Sequence, residues 1–215
     1  MPRAERGPDP DATTRVLVFA RAPVPGQVKT RLIPALGAEG AARLHQRLTE
    51  TLLDRLAASD RIAVDLWAAP DASHPFFAQA ARRWPVTVHE QRGDDLGERL
   101  ALAAAAALGR ARAVLLVGAD CPEMSLDYLA EAERRLERQD AVIGPAEDGG
   151  YVLLGLRRFA PSLFAQIPWG GETVAALTMA RLDELGWCWS ALPPLRDIDR
   201  PEDLVQIPPA LWAAG

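Results

Sequence analysis

Ala113–Cys121, AVLLVGADC, decides the fold. Its first six residues carry no charge, are rich in Val and Leu, and end at Gly118. Such a run reads as a strand buried on both faces, the kind found inside a parallel sheet. Ala119-Asp120-Cys121-Pro122 ends it, so a carboxylate arrives at the rim of the sheet. There Asp120 must be hydrogen-bonded, hydrated or bound to a cation, because an unpaired buried charge is costly. Two readings stand side by side: Asp120 caps the following helix, or it faces a metal-bound phosphate. Pro122 intervenes and Ser125 is a good cap in its own right, which weighs against the first.

Upstream, Arg15–Ala20 (RVLVFA) is a second apolar run without helical period, hence another buried strand. RAPVPGQVKTRL follows, a loop by its two prolines and glycine. From Ala38 to Ser59 the residues Leu44, Leu48, Leu52, Leu53 and Leu56 recur with the spacing of an amphipathic helix. Arg61–Ala69 reads as a strand, and Ser73–Arg83 as a helix with Ser73 at its N-cap. Val86–His89 is a short strand, and Leu96–Leu108 an alanine-rich helix.

Downstream of the central strand, Ser125–Arg138 resumes helical period. Ala141–Gly144 and Tyr151–Leu156 flank the turn PAEDGG and predict a hairpin. A helix over Glu172–Leu185 and an apolar piece at Trp187–Leu192 come next. A last helix is expected from Pro201, with Asp199 capping it and Pro201 in its first turn. Alternating strands and helices imply an α/β sandwich of three layers around a mostly parallel sheet. In such sheets ligands gather at the carboxyl ends of the strands. Neither an internal repeat nor a composition shift divides the chain, so one domain is expected over 14–215. The Pro- and charge-rich stretch 1–13 reads as a flexible leader.

Composition bounds the partners. The 215 residues carry 24 Lys and Arg against 29 Asp and Glu, a formal charge of -5. That balance argues against a nucleic-acid partner, which needs a basic face, but allows a nucleotide held by a few cations or a metal. Cys121 and Cys188 are too far apart in sequence to suggest zinc spacing or a disulfide framework, so a reducing cytoplasmic setting is the expectation. No run of apolar residues is long enough to span a membrane.

Several segments carry chemistry. Arg21, Lys29 and Arg31 lie just after the first strand, with Gly26 and two prolines shaping the backbone, a setting that suits a phosphate or else a solvated basic loop. It is not a P-loop: Val28 and Pro23 stand where that motif needs glycines. Glu147-Asp148-Gly149-Gly150 adds two carboxylates on a turn that is also a plain hairpin signal. In Arg196–Asp203, Asp197 and Asp199 alternate and so share one side, while Ile198 turns inward. His45, His74 and His89 have no metal spacing and read as packing or surface residues. Cys121 reads as a small core residue. Among the six tryptophans, Trp169 before Gly170-Gly171 is the one placed to line a pocket.

FARAPVPGQVKTRL, QRGDDLGERL, LLVGADCPEM, GPAEDGGYVLLGL and DIDRPEDL, in this order, resemble the DUF2064 group of glycosyltransferases. That group lies within the nucleotide-diphospho-sugar transferase superfamily, the GT-A fold, together with molybdenum-cofactor and phospholactate guanylyltransferases. The resemblance runs from Arg15 to Leu204. It implies that Arg21, Gly26, Lys29 and Arg31 cradle nucleotide phosphates. Gln91, Leu96 and Gly97 are implied near the base. Asp120 and Asp199 are the implied ligands of a divalent metal, Mg²⁺ or Mn²⁺, with Asp148 second choice to Asp199. Asp148 falls on the acceptor-side turn and is the catalytic candidate, to orient the acceptor or act as its general base, with Glu147 the weaker candidate for the same task. The chain departs from the glycine-rich opening of the nucleotidyltransferase branch. Of the Asp-x-Asp common in glycosyltransferases it keeps only the last Asp. The resulting expectation is a metal-dependent transferase acting on a nucleotide-sugar donor and a small-molecule acceptor, with nucleotidyl transfer to a phosphorylated molecule and a non-catalytic nucleotide-binding module as the alternatives.

Overall fold

The structure is a computed structural model that describes residues 14–59 and 62–207; the expected leader lies outside them. Among the described residues seven strands form one sheet in the order β3-β2-β1-β4-β6-β5-β7. β1 (Thr14–Arg21), β2 (Ala63–Ala69), β3 (Val86–Glu90) and β4 (Ala113–Gly118) run parallel. β6 (Tyr151–Leu156) is antiparallel to both its neighbours, β4 and β5 (Ala141–Pro145). β7 (Trp189–Ala191) adds a parallel edge to β5. The expected mostly parallel sheet and the β5–β6 hairpin are therefore both present.

Alternation along each strand feeds two cores. Val16, Val18, Leu66, Leu115 and Val117 face α1 (Ile33–Ala57), α2 (Pro75–Arg83) and α4 (Leu126–Leu136). Leu17, Trp67, Val114 and Leu116 face α3 (Leu96–Leu108) and α5 (Val174–Glu184). Each buried aliphatic side chain contributes about 1.5–3 kcal/mol, which makes these two layers the main source of stability.

Three boundaries depart from expectation. The helix expected from Ala38 is entered earlier, through a turn beginning at Ile33, and its regular path resumes after Gly37 at φ 70°. The N-cap of α2 is His74, not Ser73, because Pro75 suits the first helical position and so fixes the cap one residue before it. His74 Nδ1 accepts from the Phe76 N–H at 3.2 Å. The last helix is a short 3-10 segment, Pro201–Gln206, and its cap is Arg200, not Asp199. The carboxylate of Asp203 reaches back to accept from the N–H groups of Asp199 and Arg200.

One buried charge sits within β2. Asp65 is fully buried, and both its oxygens are taken by Arg15, at 2.6 and 2.9 Å. Arg110 at 2.8 Å and His89 at 3.2 Å complete its shell. Burial alone would raise this carboxyl, but Arg15, Arg110 and His89 together hold it below the usual range. Removing one partner of a buried pair costs about 3–5 kcal/mol, and the remaining Arg110 places Arg15→Ala at the low end of that range. Urea unfolding at neutral pH should show that loss, and a change under about 1 kcal/mol would contradict the assignment.

Candidate functional site

The loop after β1 is built to turn one lysine inward. Gln27 N–H donates to Val24 O at 3.0 Å, and Gly26 has φ 81°, which Pro25-Gly26 satisfies as the centre of a type II turn. Val28 and Leu32 are buried and anchor the segment. Lys29 between them takes the left-handed conformation at φ 46°, ψ 43°. A side chain with a β-carbon adopts that region at a cost of about 1–2 kcal/mol, so something must hold it there.

Two carboxylates do so. Lys29 Nζ donates to Asp120 Oδ2 at 3.1 Å and lies 3.8 Å from Asp199 Oδ1. The lysine side chain is only 6% exposed, whereas Asp120 keeps 36% of its surface open. Arg31 Nη1 donates to the other oxygen of Asp199 at 2.5 Å. Burial alone would raise the Asp120 carboxyl, but the charge and hydrogen bond of Lys29, helped by His45, hold it below the ordinary range. Asp120 does not cap α4; Ser125 does, accepting from the Tyr128 N–H at 3.2 Å. The two segments carrying the acids are joined by the backbone as well, since Ile198 N–H donates to Asp120 O at 3.0 Å while its side chain is fully buried.

Two adjoining cavities open at this carboxyl edge of the sheet. One, of about 540 Å³, is lined by Arg21, Lys29, Arg31, Gln91 and Arg99 among others. The second, of about 330 Å³, contains Asp148, Asp197, Tyr151 and Trp169. Asp120, Asp199, Arg31, Leu96 and Phe19 belong to both and form the seam between them. The expected residues are thus largely brought together, with exceptions. Gly26 and Gly97 shape the backbone and face neither cavity. A β-carbon on Gly97 would come within 2.6 Å of Phe164 O and Trp169 Nε1, so glycine lets the start of α3 pass beneath that ring. The Gln91 amide donates to Trp67 O at 2.8 Å and thereby ties strand ends. Glu147 pairs with Arg196 on the neighbouring rim. Asp148 Oδ1 accepts from Gly150 N–H at 2.9 Å, and Gly149, at φ 91°, packs so tightly on Glu172 that a β-carbon there would overlap its carbonyl.

The structure adds Asp197, Phe19 and Arg99 to this edge. Asp197 appeared in the sequence only as half of an acidic alternation. In the fold its burial, together with the Asp120 and Asp148 carboxylates, pushes it up to about 6, against a smaller opposing effect of Lys29. Phe19 stacks on Trp67 with centroids 6.2 Å apart and an interplanar angle of 10°. Arg99 donates to Gly93 O at 3.0 Å. His45 is buried at the wall of the larger cavity: its Nε2 lies 3.0 Å from Arg21 O, and burial lowers its pKa. Among the described residues no three His, Cys, Asp or Glu side chains already form a metal cage. None of the helices there is long and apolar enough to cross a membrane.

A carboxyl raised by folding binds its proton more tightly in the folded state, so its contribution to stability falls as pH rises from 3.8 toward about 6. Asp197→Asn should therefore melt above the parent protein at pH 7 in chelator. The advantage should shrink as pH drops through that window. An equal melting difference at pH 4 and pH 7, read by calorimetry, would contradict the crowding of carboxylates described above.

The sequence profile of the family described as "Uncharacterized protein conserved in bacteria (DUF2064)" matches residues 52–171. A search among curated proteins gave no match. Among solved structures, a Desulfovibrio desulfuricans protein provisionally termed a nucleotide-diphospho-sugar transferase is 32% identical, with a TM-score of 0.79 over 87% of this chain and 82% of that one. The 4-diphosphocytidyl-2C-methyl-D-erythritol synthase of Anaerococcus prevotii is 10% identical, with a TM-score of 0.63 over 94% and 99% of the two chains. A cytidylyltransferase of Leptospira borgpetersenii is 17% identical, with a TM-score of 0.57 over 90% and 84%. At the last two identities the likeness is one of fold. With the profile covering more than half of its length, the chain belongs to the DUF2064 family.

Proposed function

We propose that this protein is a metal-dependent glycosyltransferase that uses a nucleoside diphosphate sugar, with its site at the seam of the two cavities. The observation that carries this reading is the convergence of Asp120 and Asp199 on one ammonium nitrogen. Two carboxylates gathered around one cation, at an edge still open to solvent, also fit Mg²⁺ or Mn²⁺, which take one or two carboxylates and complete their shell with substrate phosphates. Asp120 and Asp199 would hold such an ion, which would supply neutralisation of the charge on the departing diphosphate. Lys29, Arg31 and Arg21 supply the remaining positive charge on the phosphate side. Arg99 and Leu96 border the same cavity and would face the base of the donor.

Asp148 lies across the seam and is the group placed to accept a proton from an acceptor hydroxyl. In the proposed step the bond between the sugar carbon and the diphosphate oxygen breaks with its electrons on the diphosphate. The acceptor oxygen bonds to that carbon and its proton passes to Asp148. The fold likeness to cytidylyltransferases keeps nucleotidyl transfer as the second reading, in which a triphosphate would be the donor and pyrophosphate the product. Free cysteines at Cys121 and Cys188 suit action in a reducing cytoplasm.

Thermal shifts with a panel of nucleoside diphosphate sugars and nucleoside triphosphates, each with and without Mg²⁺, separate the two readings. The diphosphate sugars should give the larger metal-dependent shift. Asp120→Asn should abolish that shift while leaving the ligand-free melting point within a few degrees of the parent. An unchanged affinity in Asp120→Asn would overturn the metal assignment, and stabilisation by triphosphates alone would favour nucleotidyl transfer.

A further inference from the structure

We infer that the smaller cavity receives an acceptor alcohol with an apolar body and no negative charge, and turns away phosphorylated or carboxylated acceptors. This rests on the transferase reading above, in which that cavity is the acceptor side. Its walls are Leu96, Leu100, Tyr151, Val152 and Trp169, with Phe19 at the seam. Tyr151 and Trp169 meet edge to face, at 6.2 Å and 82°. Pro168-Trp169-Gly170-Gly171 is a tight turn closed by Gly171 N–H donating to Pro168 O at 3.2 Å, with Gly170 at φ 83° holding the indole over the opening of α3. The Tyr151 hydroxyl is buried in this wall without a hydrogen-bond partner. A volume of about 330 Å³ accommodates a ring or a short alkyl chain, at the small end of ligand pockets.

Charge decides what else can enter. Asp148 and Asp197 face this cavity, and among the described residues neither stands in a salt bridge. Of the cations, Arg31 borders this cavity but is paired with Asp199 and, on the transferase reading, is committed to the donor's phosphates together with Lys29, while Arg196 pairs with Glu147 and Arg200 lies 3.9 Å from Glu172. A phosphate carried in by the acceptor would meet two carboxylates and find no unengaged donor of opposite charge, an arrangement that rejects it by repulsion and desolvation. A hydroxyl meets no such barrier, and Asp148 is on hand to take its proton.

A matched pair of probes isolates this charge term: 2-phenylethanol and its phosphate monoester, which differ only in the anionic group. Calorimetric titration is carried out on the full chain in Mg²⁺, alone and with the nucleoside diphosphate that gives the largest thermal shift. The alcohol should bind at least tenfold more tightly than the ester. Trp169→Ala should weaken the alcohol at least fivefold. Asp197→Asn, which removes one of the two carboxylates without touching the proton acceptor, should raise affinity for the ester while leaving the alcohol within about twofold. An ester that binds as tightly as the alcohol, or an alcohol that does not bind, overturns the inference. Loss of nucleotide binding with the alcohol preference retained would instead overturn the transferase reading and leave the pocket assignment standing.

Discussion

The ammonium of Lys29, shared by Asp120 and Asp199, fixes the geometry of the whole carboxyl edge. It ties the loop after the first strand to the end of the central strand and to the segment before the last 3-10 turn. A left-handed lysine is costly, and two acids side by side repel, so neither arrangement would persist without the other. The backbone bond from Ile198 to Asp120, with Ile198 fully buried beneath it, sets the spacing of the acids mechanically. Electrostatics then completes what packing has placed.

The same chain handles its other buried acid in the opposite way. Asp65 is enclosed by Arg15, Arg110 and His89, and no surface of it is left open. Asp120 is bound by a single lysine and remains more than a third exposed. The first arrangement is saturated and serves the sheet. The second leaves oxygen lone pairs facing a cleft, and this difference in residual coordination separates a structural carboxylate from one available to a ligand. The cleft itself divides by charge, with cations gathered on one side of the seam and unpaired acids with aromatic rings on the other.

The strands were legible because apolar runs of Val and Leu have few alternatives, and the central strand led directly to Asp120. Helix starts were less so. Ser73 is the better cap by type, yet Pro75 makes His74 the cap, because a fixed backbone angle outweighs side-chain preference. Asp199 had the right position for a cap, but two cations drawn from a loop some 170 residues earlier claimed its carboxylate. Asp197 and Phe19 were hard to see for a related reason. Their roles depend on neighbours brought in by the sheet order, and local spacing holds no record of those. Asp65 is the extreme case, since its partners lie 24 to 50 residues away.

β6 runs against the strands on either side of it. A parallel strand must be fed from the far edge through a helix, whereas this reversal lets β5 deliver the chain to the carboxyl edge and β6 begin there at once. The turn 147–150 is therefore a short insert held between two strand ends, with its own glycine seat against Glu172 and no covalent dependence on the loop after β1. In evolutionary terms this turn is free to change without disturbing the loop that carries Lys29. Substitutions there can remodel the Asp148 rim of the cleft while the edge held by Lys29, Asp120 and Asp199 stays fixed.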